Sequence, residues 1–136
     1  MKLEKININT TYMGMHDITN EINDIIDKSG VRTGICHVSV LHSTAGLVIA
    51  SGKESSCNVD IMDDIERLVP TRVDFKHRET ASDAGGHVKT ALTGTQITLI
   101  IENNKLLLGP EQAVIFAEFD GPRPRACFVG VSSDEN

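Results

Sequence analysis

Short β-type segments, separated by turn residues, fill the C-terminal half of the chain, and this pattern constrains the fold most. The apolar segments occupy residues 96–102, 105–108, 113–119 and 126–131. Between them lie typical turn sequences, among them Asn103-Asn104 and Asp120-Gly121-Pro122. Strands joined by such short turns pair antiparallel, because a parallel connection needs a dozen or more residues. The pattern therefore predicts a β-meander.

Helical periodicity is confined to the first two thirds of the chain. One helix is predicted around the isoleucines at 18, 22, 25 and 26, with Asp17 as its N-cap and Gly30 as its end. A second helix around residues 61–69 ends at Pro70, and a brief third helix begins at Ser82 or Asp83.

Three further β segments, at residues 3–10, 35–42 and 47–50, bring the predicted strands to about seven. Strands and helices do not alternate, so a parallel sheet is not predicted. We expect one α+β domain over residues 1–136, with a mainly antiparallel, β-sandwich-like core and two or three short helices.

Charge and hydropathy exclude several classes of partner. The 136 residues carry a net charge of −6 and include no Trp and one Tyr, which argues against nucleic-acid binding. No apolar run approaches the roughly 20 residues needed to cross a bilayer. The N-terminus has no signal-peptide pattern, so we expect a cytoplasmic protein with no membrane partner. The odd cysteine count argues against a disulfide framework.

Three of the five histidines stand at the ends of predicted elements or in the long loop of residues 71–84. They are His42, His77 and His87. Imidazole is a common zinc ligand and acts as acid or base at neutral pH. These residue types suit a pocket in which the histidines bind a divalent metal, zinc first and magnesium as the alternative, or transfer protons. On spacing alone, however, hydrogen bonding at loop edges is the favoured explanation.

Two further segments have the residues of an anion site. Ser43 and Thr44 lie in a turn of small residues, whose backbone N–H groups can surround a phosphate. Arg123 and Arg125 follow the turn at Asp120, and guanidinium groups suit phosphate. An ordinary strand-ending turn is the alternative for Ser43 and Thr44, and internal ion pairs that hold the turn are the alternative for the arginines.

Asp60 and Asp64 lie one helical turn apart on the second predicted helix. Two carboxylates on one face are suitable ligands for Mg²⁺. The alternative is a solvated helix face.

Taken in order along the chain, these motifs resemble a known family. The matching residues are His42-Ser43-Thr44-Ala45, Asp60, Asp64, Leu68-Val69-Pro70, His77, Gly86-His87-Val88-Lys89, Gly94, Leu106-x-Leu108-Gly109, Gln112 and Glu118-Phe119-Asp120-Gly121-Pro122-Arg123-x-Arg125. The chain is identified from them as similar to the YjbQ-like family, often labelled secondary thiamine-phosphate synthase.

The resemblance implies a homotrimer with sites near subunit boundaries, and it implies that the three histidines gather in one pocket. It suggests a transferase that joins a pyrimidine methyl diphosphate to a thiazole phosphate. We expect a small phosphorylated ligand. The expected catalytic residues are His42, His77, His87 and Asp64, and the expected anion-binding residues are Ser43, Thr44, Gln112, Arg123 and Arg125.

The chain departs from the family pattern at two places. Ala50-Ser51 stand where relatives have an Asn and an acidic residue, and Glu111 stands where they have Trp before the Gln. The lost acidic residue removes one candidate Mg²⁺ ligand. It favours the alternative of a non-catalytic metal- or anion-binding trimer, and a metal-dependent hydrolase is a third hypothesis.

Overall fold

A computed structural model describes residues 1–72, 74–77 and 82–135. Its strands are β1 (Lys2–Asn9), β2 (Met15–Asp17), β3 (Gly34–Val40), β4 (Ala45–Ser51), β5 (Gln96–Glu102), β6 (Lys105–Leu106), β7 (Gln112–Glu118) and β8 (Pro124–Ser133). Its helices are α1 (Thr19–Ser29), α2 (Ser55–Leu68) and α3 (Asp83–Thr93).

The strands form two sheets, one of five strands in the order β1-β8-β3-β5-β6 and one of three in the order β2-β7-β4. Every strand pair is antiparallel. The predicted α+β fold is therefore confirmed. The described residues contain one strand more than predicted, because β2 has only three residues and is too short to show an alternating pattern.

The main core lies between the two sheets. Alternate residues of β3 (Cys36, Val38 and Val40) and β8 (Cys127, Val129 and Val131) point inward and are buried. Leu47 and Phe116 of the small sheet meet them, and α1 adds Ile22 and Ile26 at helical spacing. This is the packing that the alternating pattern predicts.

Strand β7 is buried on both faces. Its residues Val114 and Phe116 face the main core, whereas Ala117 and the following Phe119 pack with Met62 of α2. The continuous apolar run of this strand follows from this double burial. The small sheet is thus a middle layer, and its central strand ends in a buried carboxylate, Glu118.

Several element ends differ slightly from the prediction. Ile18, not Asp17, is the N-cap of α1, while the Asp17 carboxylate accepts a hydrogen bond from the Thr19 N–H at 2.9 Å. Gly30 ends α1 with φ of 74°, as expected of a left-handed C-cap. Helix α2 begins at Ser55 rather than near residue 61. None of the described helices is long and apolar enough to span a membrane.

Candidate functional site

Loops from both sheets meet the first half of α3 at one surface cleft of about 420 Å³. The first loop joins β3 to β4 and thus passes from the large sheet to the small one, and the second leads from β7 into β8. The cleft is lined by Leu41, His42, Ser43, Thr44, His77, Asp83, His87, Arg123 and Arg125. Seven of the nine residues predicted for the site therefore lie around one cavity.

His77, Asp83 and His87 form a compact group at this cleft. Asp83 and His87 are four residues apart on α3, so both side chains lie on one face of the helix. Nε2 of His77 pairs with Oδ2 of Asp83, and Nε2 of His87 lies 3.6 Å from Oδ1. The candidate ligand atoms all lie within 4.8 Å of one another. Two imidazoles and one carboxylate are a ligand set that suits zinc.

The third member of this group differs from the prediction, which had His42 in that place. Asp83 takes it, although the sequence suggested only a helix-capping role for this residue. Its side chain is 6% exposed, and a carboxylate is costly to bury without cationic or hydrogen-bonding partners. An acidic residue one helical turn before a histidine was the available signal, and we missed it.

His42 lies at the same cleft in a different role. Its Nε2 accepts a hydrogen bond from the backbone N–H of Ala126 at 3.0 Å. A neutral imidazole with Nε2 as acceptor has its proton on Nδ1. Because neither nitrogen then has a free lone pair, His42 cannot bind a metal in this arrangement. Burial, aided by the nearby Arg125 charge, lowers the pKa of His42 below its ordinary value.

Gly86 sets how closely α3 approaches the loops. A Cβ added there would lie 3.0 Å from the Phe119 carbonyl oxygen and 3.4 Å from the Thr44 Cβ. The absence of a side chain therefore brings the helix turn with Asp83 and His87 next to the Thr44 loop. This contact explains why residues distant in sequence share one cleft.

Arg125 is buried beneath the cleft and bound by Glu118. Its Nε donates to Glu118 Oε1 at 2.8 Å, and its Nη2 donates to Oε2 at 2.6 Å. The same Nη2 donates to the Thr44 hydroxyl at 2.7 Å. Burial raises the pKa of Glu118, but hydrogen bonds from Arg125 and Thr10 outweigh it, so the pKa is lowered overall. Arg125 thus fixes the Thr44 loop while lining the cleft.

Arg123 is more accessible, with 43% of its side chain exposed. Its Nη2 donates to Asp120 Oδ2 at 2.7 Å, and Ser82 donates to Asp120 Oδ1. Ser82 precedes α3, so this contact ties the helix start to the turn after β7. The expectation that internal ion pairs hold this turn therefore applies to both arginines.

The charges at the cleft do not favour an anion by themselves. The two arginines supply two positive charges, whereas Asp83, Glu118 and Asp120 supply three negative ones. Glu118 and Asp120 are not part of the lining, but each pairs with one of the arginines, so with uncharged imidazoles Asp83 leaves one net negative charge on these five side chains. A phosphate would thus need a bound cation or protonated histidines before the local field attracted it.

Asp64 and Gln112 lie away from this cleft. Asp64 is exposed on α2 and pairs with Arg67, as a solvated helix face predicts, and Asp60 is exposed as well. Gln112 begins β7, where its side-chain oxygen accepts a hydrogen bond from the Gly109 N–H at 2.8 Å. Within one chain, neither residue joins the histidine group.

The departing position Ser51 pairs with Gln112 at the end of β4 farthest from Thr44. Seven residues of strand separate the two ends, which is roughly 20 Å. The Ser51 hydroxyl accepts hydrogen bonds from the N–H groups of Lys53 and Glu54 just before α2. The change at Ala50-Ser51 therefore removes no ligand from the group of His77, Asp83 and His87.

Comparison with known proteins decides the family. A family profile described as "UPF0047 protein YjbQ-like" matches residues 4–134. The chain belongs to this YjbQ-like family. Among YjbQ-like relatives, a UPF0047 protein of Methanocaldococcus jannaschii is 41% identical over 119 residues, covering 88% of this chain and 85% of the relative. YugU of Bacillus subtilis is 30% identical, and the alignment covers 93% of this chain and 96% of YugU.

Solved structures of YjbQ-like proteins share the fold. One from Clostridium acetobutylicum superposes with a TM-score of 0.90 at 35% identity, covering 95% of this chain and 99% of the other. Another, from Sulfolobus solfataricus, superposes with a TM-score of 0.91 at 28% identity, covering 98% of this chain and 97% of the other. The Sulfolobus protein is described as being of unknown function. The comparisons thus place the chain in an uncharacterised family, and function has to be argued from the site.

Proposed function

We propose that this protein is an enzyme that acts on a small phosphorylated molecule with the help of a divalent cation, zinc first. His77, Asp83 and His87 would hold the cation. The single observation that carries the proposal is the group of two imidazoles and one buried carboxylate with ligand atoms within 4.8 Å of one another. Three protein ligands leave coordination positions open for a substrate, as in catalytic zinc sites.

The charge of the cleft supports a joint site for cation and phosphate. A divalent cation would change the net charge of the cleft arginines, Asp83 and the paired carboxylates Glu118 and Asp120 from −1 to +1. Arg123, half-exposed at the rim, is placed to contact a phosphate oxygen. The bound cation would supply Lewis-acid stabilisation of charge on the departing phosphate or diphosphate.

The other cleft residues would orient the ligand and donate hydrogen bonds to it. Nδ1 of His42 has no partner among the described residues, so its N–H is available to a ligand oxygen. The Ser43 hydroxyl lines the cleft in the same way. Arg125, held by Glu118 and Thr44, positions this loop more than it contacts the ligand. Hydrogen-bond donors fixed in this way stabilise developing negative charge without reorganising.

The specific reaction that we propose to test first is of the thiamine-phosphate synthase type. It joins a pyrimidine methyl diphosphate to a thiazole phosphate and releases pyrophosphate. A departing diphosphate needs a cation, which His77, Asp83 and His87 would hold, and arginines, two of which line the cleft. The second candidate is a metal- or anion-binding protein without turnover. The sequence departure at Ala50-Ser51 suggests it, but within one chain that position lies at the far end of β4 from the cleft, so the transferase is tested first.

Metal content is the deciding measurement. We expect the purified protein to hold about one zinc or similar ion per chain and a His77→Ala/His87→Ala variant to hold none. His37→Ala is the matched control, because His37 is exposed and its Nδ1 contacts the Thr98 hydroxyl 3.0 Å away on β5. A parent that stays metal-free after zinc is offered would overturn the cation site.

Activity is then measured with metal-replete protein. Release of pyrophosphate from the two substrates supports the transferase, and release of inorganic phosphate from one substrate alone supports a hydrolase. Binding of inorganic phosphate without any turnover favours the second candidate. A homotrimer and a cytoplasmic location remain part of the proposal, and light scattering of the purified protein tests the trimer.

A further inference from the structure

A second cleft of about 390 Å³ adjoins the first and shares three of its residues, namely His42, Ser43 and His87. Its remaining wall is formed by Thr90, Ala91, Gly94 and Thr95, from the last turn of α3 and the loop into β5. Because three side chains border both clefts, a ligand that occupies one cleft can extend directly into the other.

The two clefts differ in charge. The first contains Asp83, Arg123 and Arg125, whereas the second adds no charged residue to the shared pair of histidines. Small and neutral side chains line a site for an uncharged group. A cavity of this volume accommodates a substituent the size of an aromatic ring.

Thr90 gives the second cleft a polar feature. Its side chain is 4% exposed, and Oγ1 has no hydrogen-bond partner in the described part of the chain. Leaving a buried hydroxyl without a partner is destabilising. Such groups are rare in folded proteins and call for an explanation, and a ligand that supplies the partner is one.

We infer that the site binds its ligand in two parts: the phosphate in the first cleft, and a compact, uncharged organic group in the second cleft. This inference rests on the proposed function, because it names the substrate class of the same site. The substrate class is an ester of phosphate or diphosphate with a ring-sized neutral substituent. Free phosphate uses only the first cleft. Highly charged sugar phosphates do not fit the second cleft, because its lining suits an uncharged group.

The test compares inorganic phosphate, methyl phosphate and phenyl phosphate by calorimetric titration of the zinc-loaded protein. We expect phenyl phosphate to bind about tenfold more tightly than methyl phosphate, because the apolar area of the buried ring contributes more free energy than its ordering costs. Ala91→Phe fills the second cleft from an exposed helix position and should abolish this difference while leaving methyl phosphate binding unchanged.

Val88→Phe is the matched control, because Val88 is exposed on the same helix and lines neither cleft. It should keep the tenfold difference. Ala91→Gln, which favours helix, replaces Ala91→Phe if that variant does not fold. A tenfold preference that survives both Ala91 variants, or no preference in the parent, overturns the two-part site alone. Failure of zinc-loaded protein to bind any of the three phosphates overturns the proposed function and this inference with it.

Discussion

Nε2 of His42 accepts a hydrogen bond from the backbone N–H of Ala126 at 3.0 Å. This contact joins the loop between the two sheets to strand β8, and it decides which imidazole nitrogen has the proton. It separates His42 from the two other histidines of the cleft, whose Nε2 atoms both lie near Asp83.

We predict that His42 is the neutral Nδ1–H tautomer at pH 7 and that it titrates below its ordinary pKa of 6.5, because burial and the Arg125 charge disfavour the imidazolium. Nitrogen-15 NMR of the ring measures both properties. The unfolded chain then binds the proton more readily than the folded one, so the free energy of unfolding should fall as pH drops below 6.5. A His42→Asn variant should show a weaker fall, and an unchanged pH profile in that variant would contradict the assignment.

Glu118→Gln should destabilise the protein by about 3–5 kcal/mol, because it leaves the Arg125 guanidinium buried without its counter-charge. Urea unfolding measures the change. The pKa of Glu118 is lower in the folded state than in the unfolded state. The ionised carboxylate therefore stabilises the folded parent at neutral pH, and this stabilisation is lost as the pH falls through the folded-state pKa of Glu118. The surface pair of Asp64 and Arg67 provides the control, and Arg67→Ala should change the stability by less than about 1 kcal/mol.

Asp83→Asn should weaken zinc binding at least about 100-fold, since even outer partners of metal ligands contribute 10–100-fold. Asp64→Asn, at the exposed site on α2, should leave zinc binding unchanged. Competition with a chromophoric chelator measures both affinities. Equal losses in the two variants would mean that the cation binds somewhere other than the group of His77, Asp83 and His87.

Thr90→Val should stabilise the ligand-free protein by about 1 kcal/mol, because it replaces an unpartnered buried hydroxyl with a methyl group of the same shape. Thermal unfolding without added ligand gives the difference. Thr93→Val on the same helix is the control: its hydroxyl makes only a 3.5 Å contact to the Thr90 carbonyl oxygen, so a change within about 0.5 kcal/mol is expected. A destabilised Thr90→Val protein would show that the hydroxyl has a partner after all.

The fold was predictable because alternation and turn residues are local signals. Asn103 and Asn104 both adopt positive φ, 52° and 62°, as a tight hairpin turn requires, and β5 and β6 pair on either side of them. The missing strand, β2, has three residues and gains its pairing entirely from β7. Three residues are too few to show the alternating pattern that predicts a strand.

The site was predictable only in part, because its partnerships are not local. Glu118 and Arg125 lie seven residues apart in different sheets, and the Arg125 guanidinium contacts the Glu118 carboxylate only in the folded chain. The same holds for Asp83, which the sequence presents as a helix start and the fold places between two imidazoles. Residue type identified the histidines and arginines, whereas their electrostatic roles depend on these tertiary contacts.

The position of β8 has a consequence for how the chain folds during synthesis. This last strand lies inside the five-stranded sheet, between β1 and β3, and it provides Arg125 and the Ala126 N–H that bind the cleft loop. The ribosome therefore releases the strand that closes the sheet after all the other described strands of both sheets. At 5–20 residues per second, translation leaves the facing edges of β1 and β3 unpaired for roughly ten seconds. Cleft and sheet are therefore completed in the same event, when β8 pairs with both edges.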